Sequence, residues 1–390
     1  MKNNISEIID GIDWEKAGKL LANRDSGKVV EVISKDNPSL SDLALLLSPG
    51  AEKHIAQIRE KAAILKKNRF GKTIKLYAPL YVSSYCVNDC AYCGFKVGRI
   101  ETRRHLTEEE IIKEAEALNR SGIDSILVVS GEDPDFVDVA YLETTIRILR
   151  KYFSYISLEV QAFDTKSYRR LFNAGAHGLV IYQETYRKDL FNSLHKGPKC
   201  DYEFRIGAPA RAAEAGFYNL GIGVLLGLDD WRKEAIRLAA HAFYLKKKFW
   251  NCSIQFSFPR IRNENCEFRI PAPVSEKELE QMILAFRMTF QESDISVSTR
   301  ESCEFRDKIV MSAANVMSAA SKVVPGAYSE EKVEAGLGQF KLSDTRTIAE
   351  ITKRMLEIDL DPVFKDWDTA FGKTLNPKRE VRNPKQARKE

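Results

Sequence analysis

From about residue 75 to residue 300, short β-branched runs alternate with longer stretches whose apolar residues recur at helical spacing. The runs Leu76 to Tyr81, Ile126 to Ser130, Ile156 to Phe163, Gly178 to Tyr182, Leu220 to Val224, Ser253 to Phe258 and Ile295 to Thr299 read as strands. Gly122, Gly175 and Gly216 each stand just ahead of a strand, where glycine supplies the left-handed conformation that turns a chain back from a helix end. Helix starts are legible too, since Thr107 with Glu110 and Ser275 with Glu278 match the capping-box pattern. After the first of these, Ile111, Ile112, Ala115 and Leu118 fall on one face. Alternation of this order predicts an α/β fold with a parallel sheet and right-handed crossovers, closing into a (β/α)8 TIM-type barrel.

The flanks lack that alternation. Residues 1–70 carry helical patterns alone and read as a helical N-terminal extension on a barrel spanning 71–325. Residues 326–390 read as a C-terminal extension, with a helix near Thr345 to Ile358, the aromatic run Pro362 to Trp367 and a basic tail from Asn376 to Glu390. The tail is expected to be solvated rather than a nucleic-acid arm, because the formal charge of the 390-residue chain is only +5. A hydrophobic content of 44% suffices for a large core. Neither a signal-like segment at Met1 nor a membrane-length apolar run is visible, so the expectation is a cytoplasmic protein with no nucleic-acid or membrane partner.

Composition leaves the chemistry open until the cysteines are placed. Cys86, Cys90 and Cys93 lie within eight residues, just beyond the first strand. Three thiolates so spaced can hold three corners of an iron–sulfur cube, whose usual complement is four cysteines, and leave one iron open to a ligand. A structural zinc site needs a fourth ligand, for which His105 is the nearby candidate; a disulfide would need an oxidising compartment. Cys200, Cys252, Cys266 and Cys303 stand apart and read as isolated thiols.

In a barrel of this type the site gathers where strands end. Strand ends here carry Gly131 and Glu132, then Glu159 and Gln161 at a spacing that places both on one side of a strand, then Tyr182, Glu184 and Tyr186. Such polar groups are costly if buried without partners. Ser298 and Arg300 end the seventh strand, where an arginine is suited to clamp a carboxylate in two-pronged fashion. The alternative for Arg300 is an outward ion pair with a neighbour such as Glu304.

Cys86-x3-Cys90-x2-Cys93, with Tyr92 before the last cysteine, resembles the signature of the radical S-adenosylmethionine (SAM) superfamily. Gly131-Glu132 is similar to that superfamily's Gly-Gly-Glu motif for the methionyl amine, with Ser130 in place of the first glycine, and Gly221-Ile222-Gly223 resembles its adenine-packing strand. Tyr85 to Phe95, Tyr182 to Tyr186, Phe258-Pro-Arg260, Ser298 to Glu301 and Val363 to Trp367 together resemble the 2-iminoacetate synthases, the tyrosine lyases of thiazole (thiamine) biosynthesis. The resemblance implies a [4Fe–4S] cluster on Cys86, Cys90 and Cys93 and S-adenosyl-L-methionine as cofactor. It implies cleavage of the Cα–Cβ bond of L-tyrosine to 2-iminoacetate and p-cresol, with 5′-deoxyadenosine and methionine as coproducts. Arg300 and Ser298 would then hold the tyrosine carboxylate, and Glu159, Gln161, Tyr182 and Glu184 would divide between cofactor and substrate. Tyr92, Gly131, Glu132, Ile222 and Gly223 would face the cofactor. Implied partners are a flavodoxin or ferredoxin as electron donor and thiazole synthase as consumer of the imine. The related tyrosine lyase of iron-iron hydrogenase maturation carries a second cysteine-held cluster at its C-terminus; no cysteine follows Cys303 here.

Overall fold

The computed structural model describes residues 4–99, 103–262, 268–330 and 338–364. Eight parallel strands form a closed ring: β1 (Thr73–Ser83), β2 (Ser125–Ser130), β3 (Tyr155–Glu159), β4 (Gly178–Glu184), β5 (Asn219–Val224), β6 (Ser253–Ser257), β7 (Asp294–Val297) and β8 (Val316–Ser318). Each pairs in parallel with the next, and β1 closes the ring by pairing with both β2 and β8. The expected barrel is therefore present. A ninth short strand, β9 (Asp361–Val363), pairs with the opening residues of β1.

The strands partition their side chains with period two. Ile126, Val128, Ile156, Leu158, Leu179, Ile181, Leu220, Ile222 and Val224 belong to the main core between strands and outer helices. Tyr81, Leu127, Val129 and Val180 form a separate cluster inside the ring. The interior of an eight-stranded barrel is just wide enough for side chains or one small ligand, so the residues of the second set decide what space remains.

The outer layer contains Glu108–Arg120, Val139–Leu149, Thr165–Ala174, Ala208–Ala215, Trp231–Lys248, Glu276–Thr289 and Cys303–Ser312. Thr107 and Ser275 make full capping boxes with Glu110 and Glu278. Gly175 and Gly216 end their helices with φ of 116° and 113°, and Gly122 turns at 89°. The N-terminal helices, from Ile5–Asp10 to Ile55–Phe70, pack over one side of this layer. Gln281 donates to the carbonyls of Leu46 and Ser48, and Arg59 pairs with Glu280. Both contacts satisfy polar groups that the helix packing buries.

Sequence reading and structure differ at two strands. The third strand stops at Glu159, short of Phe163. The eighth strand is only three residues long, too short for its periodicity to be read. The C-terminal helix runs Ile348–Glu357, within the predicted span. Cys266, Trp367 and the basic tail lie outside the described residues.

Candidate active site

The cysteine loop leaves the end of β1 and is fastened on three sides. Arg103 donates to the carbonyls of Phe95 and Lys96. Asp89 and Ala91 donate their amides to the carbonyls of Lys196 and Leu194. Val87 donates to the carbonyl of Glu132, and Gly131 to that of Ser83. A β-carbon on Gly131 would lie 2.1 Å from the carbonyl oxygen of Tyr85, so no other residue fits there. The Glu132 carboxylate accepts from Asn88 Nδ2 at 2.8 Å, which sets an acid directly beside the loop.

Cys86, Cys90 and Cys93 are free thiols. The amide of Phe95 reaches Cys93 Sγ at 3.4 Å, and Asn88 Nδ2 reaches Cys86 Sγ at 3.8 Å. Hydrogen bonds of this kind tune the potential of an iron–sulfur cluster. Burial pushes the Cys90 thiol up to about 12 and raises that of Cys93, so the two sulfurs need a bound cation to stand as thiolates. Three sulfurs on one fastened loop, with donors already aimed at two of them, fit a cluster. His105, the alternative zinc ligand, instead packs its ring among Tyr85, Phe136 and Tyr141.

Tyr92 is anchored by His195. His195 Nδ1 lies 2.7 Å from the Phe191 carbonyl and must donate, so Nε2 is the acceptor for the Tyr92 hydroxyl at 2.7 Å. Burial lowers the His195 imidazole to about 3 and keeps it neutral in that role.

Inside the ring, a chamber is lined by Tyr77, Tyr81, Leu127, Val129, Glu159, Tyr182, Glu184, Lys199, Ser257, Arg260, Ser298, Arg300, Gln339 and Phe340, with Tyr92 and Cys93 at its rim. Glu184 sits where the β4–β5 register shifts, at a φ of 68° that is strained for a non-glycine residue. Lys199 Nζ lies 2.7 Å and Arg205 Nη2 3.4 Å from its carboxylate. Burial alone would raise Glu184, but the two cations outweigh it and hold the carboxyl below its ordinary value. Two cations facing one carboxylate leave a net positive corner suited to an anionic ligand group. Gly223 admits the Tyr182 ring, which a β-carbon would meet at 2.7 Å.

Arg300 stacks on the ring of Phe340 with 3.6 Å from guanidinium carbon to ring centroid. Stacking uses the guanidinium face and leaves its in-plane donors for a carboxylate. Among the described residues no ion pair joins Arg300 to Glu304. Its backbone N–H donates to Ser298 Oγ at 3.3 Å, which fixes the turn that ends β7. Beside it, Arg260 forks onto the buried Glu301, with Nε 3.0 Å from Oε1.

Not every expected residue joins the chamber. Gln161 lies past the end of β3, where strand alternation no longer applies, and donates Nε2 to the Val137 carbonyl at 2.7 Å. The Ile222 side chain belongs to the main core, so only its backbone can meet a cofactor. Lys199, Arg205, His195, Gln339 and Phe340 were not foreseen. They come from loops and from helical turns too short to show a periodicity, Pro198–Cys200 for Lys199 and Tyr202–Ile206 for Arg205; the Gly197-Pro198 turn ahead of Lys199 was the one local signal.

Comparison with known proteins bears on the fold and the family. Residues 80–239 match the family model "Radical SAM superfamily", and residues 257–361 match "Biotin and Thiamin Synthesis associated domain". The barrel and its cysteine loop are thus those of a radical SAM protein. The chain is 35% identical to the 2-iminoacetate synthase of Salmonella typhimurium over 93% of its own length and 96% of that protein, and 34% identical to the Escherichia coli enzyme over the same shares. It belongs to the 2-iminoacetate synthase family. Among solved structures, the FeFe-hydrogenase maturase HydG from Carboxydothermus hydrogenoformans superposes with a TM-score of 0.86 at 31% identity, covering 93% of this chain and 86% of that one. Methylornithine synthase (PylB) shares the fold, with a TM-score of 0.70 at 22% identity over 88% of this chain and 99% of that one.

Proposed function

We propose that this chain cleaves the Cα–Cβ bond of L-tyrosine to 2-iminoacetate and p-cresol, with S-adenosylmethionine converted to 5′-deoxyadenosine and methionine. The observation that carries the reading is Arg300, a guanidinium with open donors in a tyrosine-lined chamber whose rim is the three-cysteine loop. Membership of the 2-iminoacetate synthase family supports it.

When bound, the [4Fe–4S] cluster and S-adenosylmethionine supply a 5′-deoxyadenosyl radical that takes hydrogen from the tyrosine amino group. Cys86, Cys90 and Cys93 would hold the cluster, and Glu132 would take the methionyl ammonium. Glu184, flanked by Lys199 and Arg205, would hold the rest of the cofactor's polar edge, with Tyr92, Tyr182 and Gly223 as the walls around it. Arg300 and Ser298 would grip the tyrosine carboxylate, and the ring would lie in the chamber beneath, screened from water. This orientation turns hydrogen abstraction into a proximity problem. A flavodoxin or ferredoxin would deliver electrons, and thiazole synthase would consume the imine in the cytoplasm; among the described residues no helix is long and apolar enough to cross a membrane.

Anaerobic incubation of cluster-loaded protein with tyrosine, S-adenosylmethionine and a one-electron reductant is expected to release p-cresol and 5′-deoxyadenosine in comparable amounts. Cofactor cleavage without p-cresol would refute tyrosine as the substrate.

A further inference from the structure

The chamber contains one acid that no neighbouring side chain claims. Glu159 ends β3 and lines the lumen, since Tyr155, Ser157 and Glu159 alternate with the core residues Ile156 and Leu158. Among the described residues no hydrogen bond or ion pair reaches its carboxylate. The three nearby tyrosines are engaged elsewhere. Tyr81 donates to Gln339 Oε1 at 2.7 Å, Tyr77 lies 3.4 Å from Ser296 Oγ, and Tyr182 bonds to Ser257. Glu159 is partly exposed on the chamber wall, so a carboxylate without a protein partner there faces the space a ligand would fill.

Position supplies one. In the closed ring of eight, β3 and β7 stand four strands apart, so Glu159 and Arg300, which both line the chamber, come to it from strands on opposite sides of the ring. An amino acid gripped by its carboxylate at Arg300 keeps its amino group on the same wall, because both groups are bonded to one carbon. The far pole of tyrosine is its phenolic oxygen. Resting on the tyrosine-lyase reading above, we infer that Glu159 is the residue that receives the substrate's phenolic hydroxyl, selects tyrosine over phenylalanine, and carries the phenolic proton during cleavage.

The proton balance is simple. As the Cα–Cβ bond of the substrate radical breaks, the phenolic O–H donates its proton to Glu159, leaving 2-iminoacetate and an oxidobenzyl radical anion. One electron from the external donor reduces that species, water protonates its methylene carbon, and Glu159 returns its proton to the oxygen, giving p-cresol. The surroundings suit a group that both accepts and returns a proton. Burial raises the Glu159 carboxyl to about 7, opposed by Arg300, reinforced by Glu184 and opposed again by Lys199 and Arg205. The other titratable groups facing it are Tyr77, Tyr81 and Tyr182. β2, the remaining neighbour, presents only Leu127 and Val129 to the chamber.

Glu159→Gln keeps a partner for the hydroxyl but cannot take its proton, and Glu159→Leu removes both. With Gln, calorimetric affinity for tyrosine in the absence of S-adenosylmethionine is expected to stay within about threefold, while p-cresol per 5′-deoxyadenosine falls at least tenfold. In the wild type that ratio should climb with pH through about 7, as the carboxylate forms, and it should be flat in the Gln variant. With Leu, the preference for binding tyrosine over phenylalanine should drop at least tenfold, since an acid in the occupied chamber left facing a ring without a hydroxyl is what rejects the analogue. Wild-type p-cresol yield and pH profile in the Gln variant, or unchanged discrimination in the Leu variant, would overturn the inference. Failure of the wild type to make p-cresol would instead sink the tyrosine-lyase reading.

Discussion

Arg300 and Gly131 show how much of the proposed chemistry rests on single side chains or their absence. Hydrogen bonds to a charged group contribute about 1.5–3 kcal/mol, so Arg300→Met is expected to weaken tyrosine binding by roughly ten- to a hundredfold. Titration calorimetry on the variant checks this, and an unchanged affinity would reassign the clamp. At Gly131 the backbone of Tyr85 occupies the space a methyl group needs. Gly131→Ala is therefore expected to displace the cysteine loop, and iron content with the cluster's visible absorption should both fall by half or more. Full cluster content in that variant would mean the loop tolerates a shift. Both residues were legible in the sequence, because a strand-end arginine and a glycine before an acid are local signals. Glu184 was legible too, but its strained backbone and its two cations were not. Those depend on a loop that folds back only in three dimensions.

At the scale of elements, the segment 338–344 does most to close the chamber. Gln339 holds Tyr81, Phe340 stacks on Arg300, and a β-carbon at Gly94 would meet the carbonyl of Gln339. Ser343 and Asp344 donate their amides to the carbonyl of Thr299. The segment is riveted by Asp344, which pairs with the fully buried Arg306 and with Arg346 at 2.6 Å. Burial works against the charged Asp344, yet Arg346 and Arg306 prevail and hold it at about 2, below the ordinary 3.8. Because the folded-state value is depressed, this contribution is complete above about pH 4 and is lost as pH falls toward 2. Asp344→Asn strands a buried guanidinium and should cost about 3–5 kcal/mol in urea unfolding at neutral pH. Its stability should also vary less than the wild type's between pH 4 and 2. Nothing in the polar run Lys341 to Thr347 advertises this role. An acid in such a run reads as surface until the fold buries it, whereas β1 to β7 declared themselves by period, with a glycine ahead of β2, β4 and β5 as a further mark.

For the whole molecule, the barrel order was readable because each strand–helix unit repeats the same hydrophobic pattern, while β8 and β9 have three residues apiece and exist through their pairing, β8 with β7 and β1 and β9 with β1. Cluster binding should be felt globally, since a ligand that binds only the folded chain stabilises it by mass action. Chelating iron from the loaded protein anaerobically is expected to lower its melting temperature measurably; equal melting curves would mean the loop is pre-formed independently of metal. The covering strip 338–344 lies late in the chain, while every sulfur proposed as a ligand is in place by Cys93. During synthesis the cysteine loop therefore emerges long before anything can roof it, and a metal-delivery factor would meet an open bowl. Chains halted before residue 338 should accept reconstituted iron and sulfide faster than the finished protein, and an equal or slower uptake would show that the roof offers no barrier to maturation.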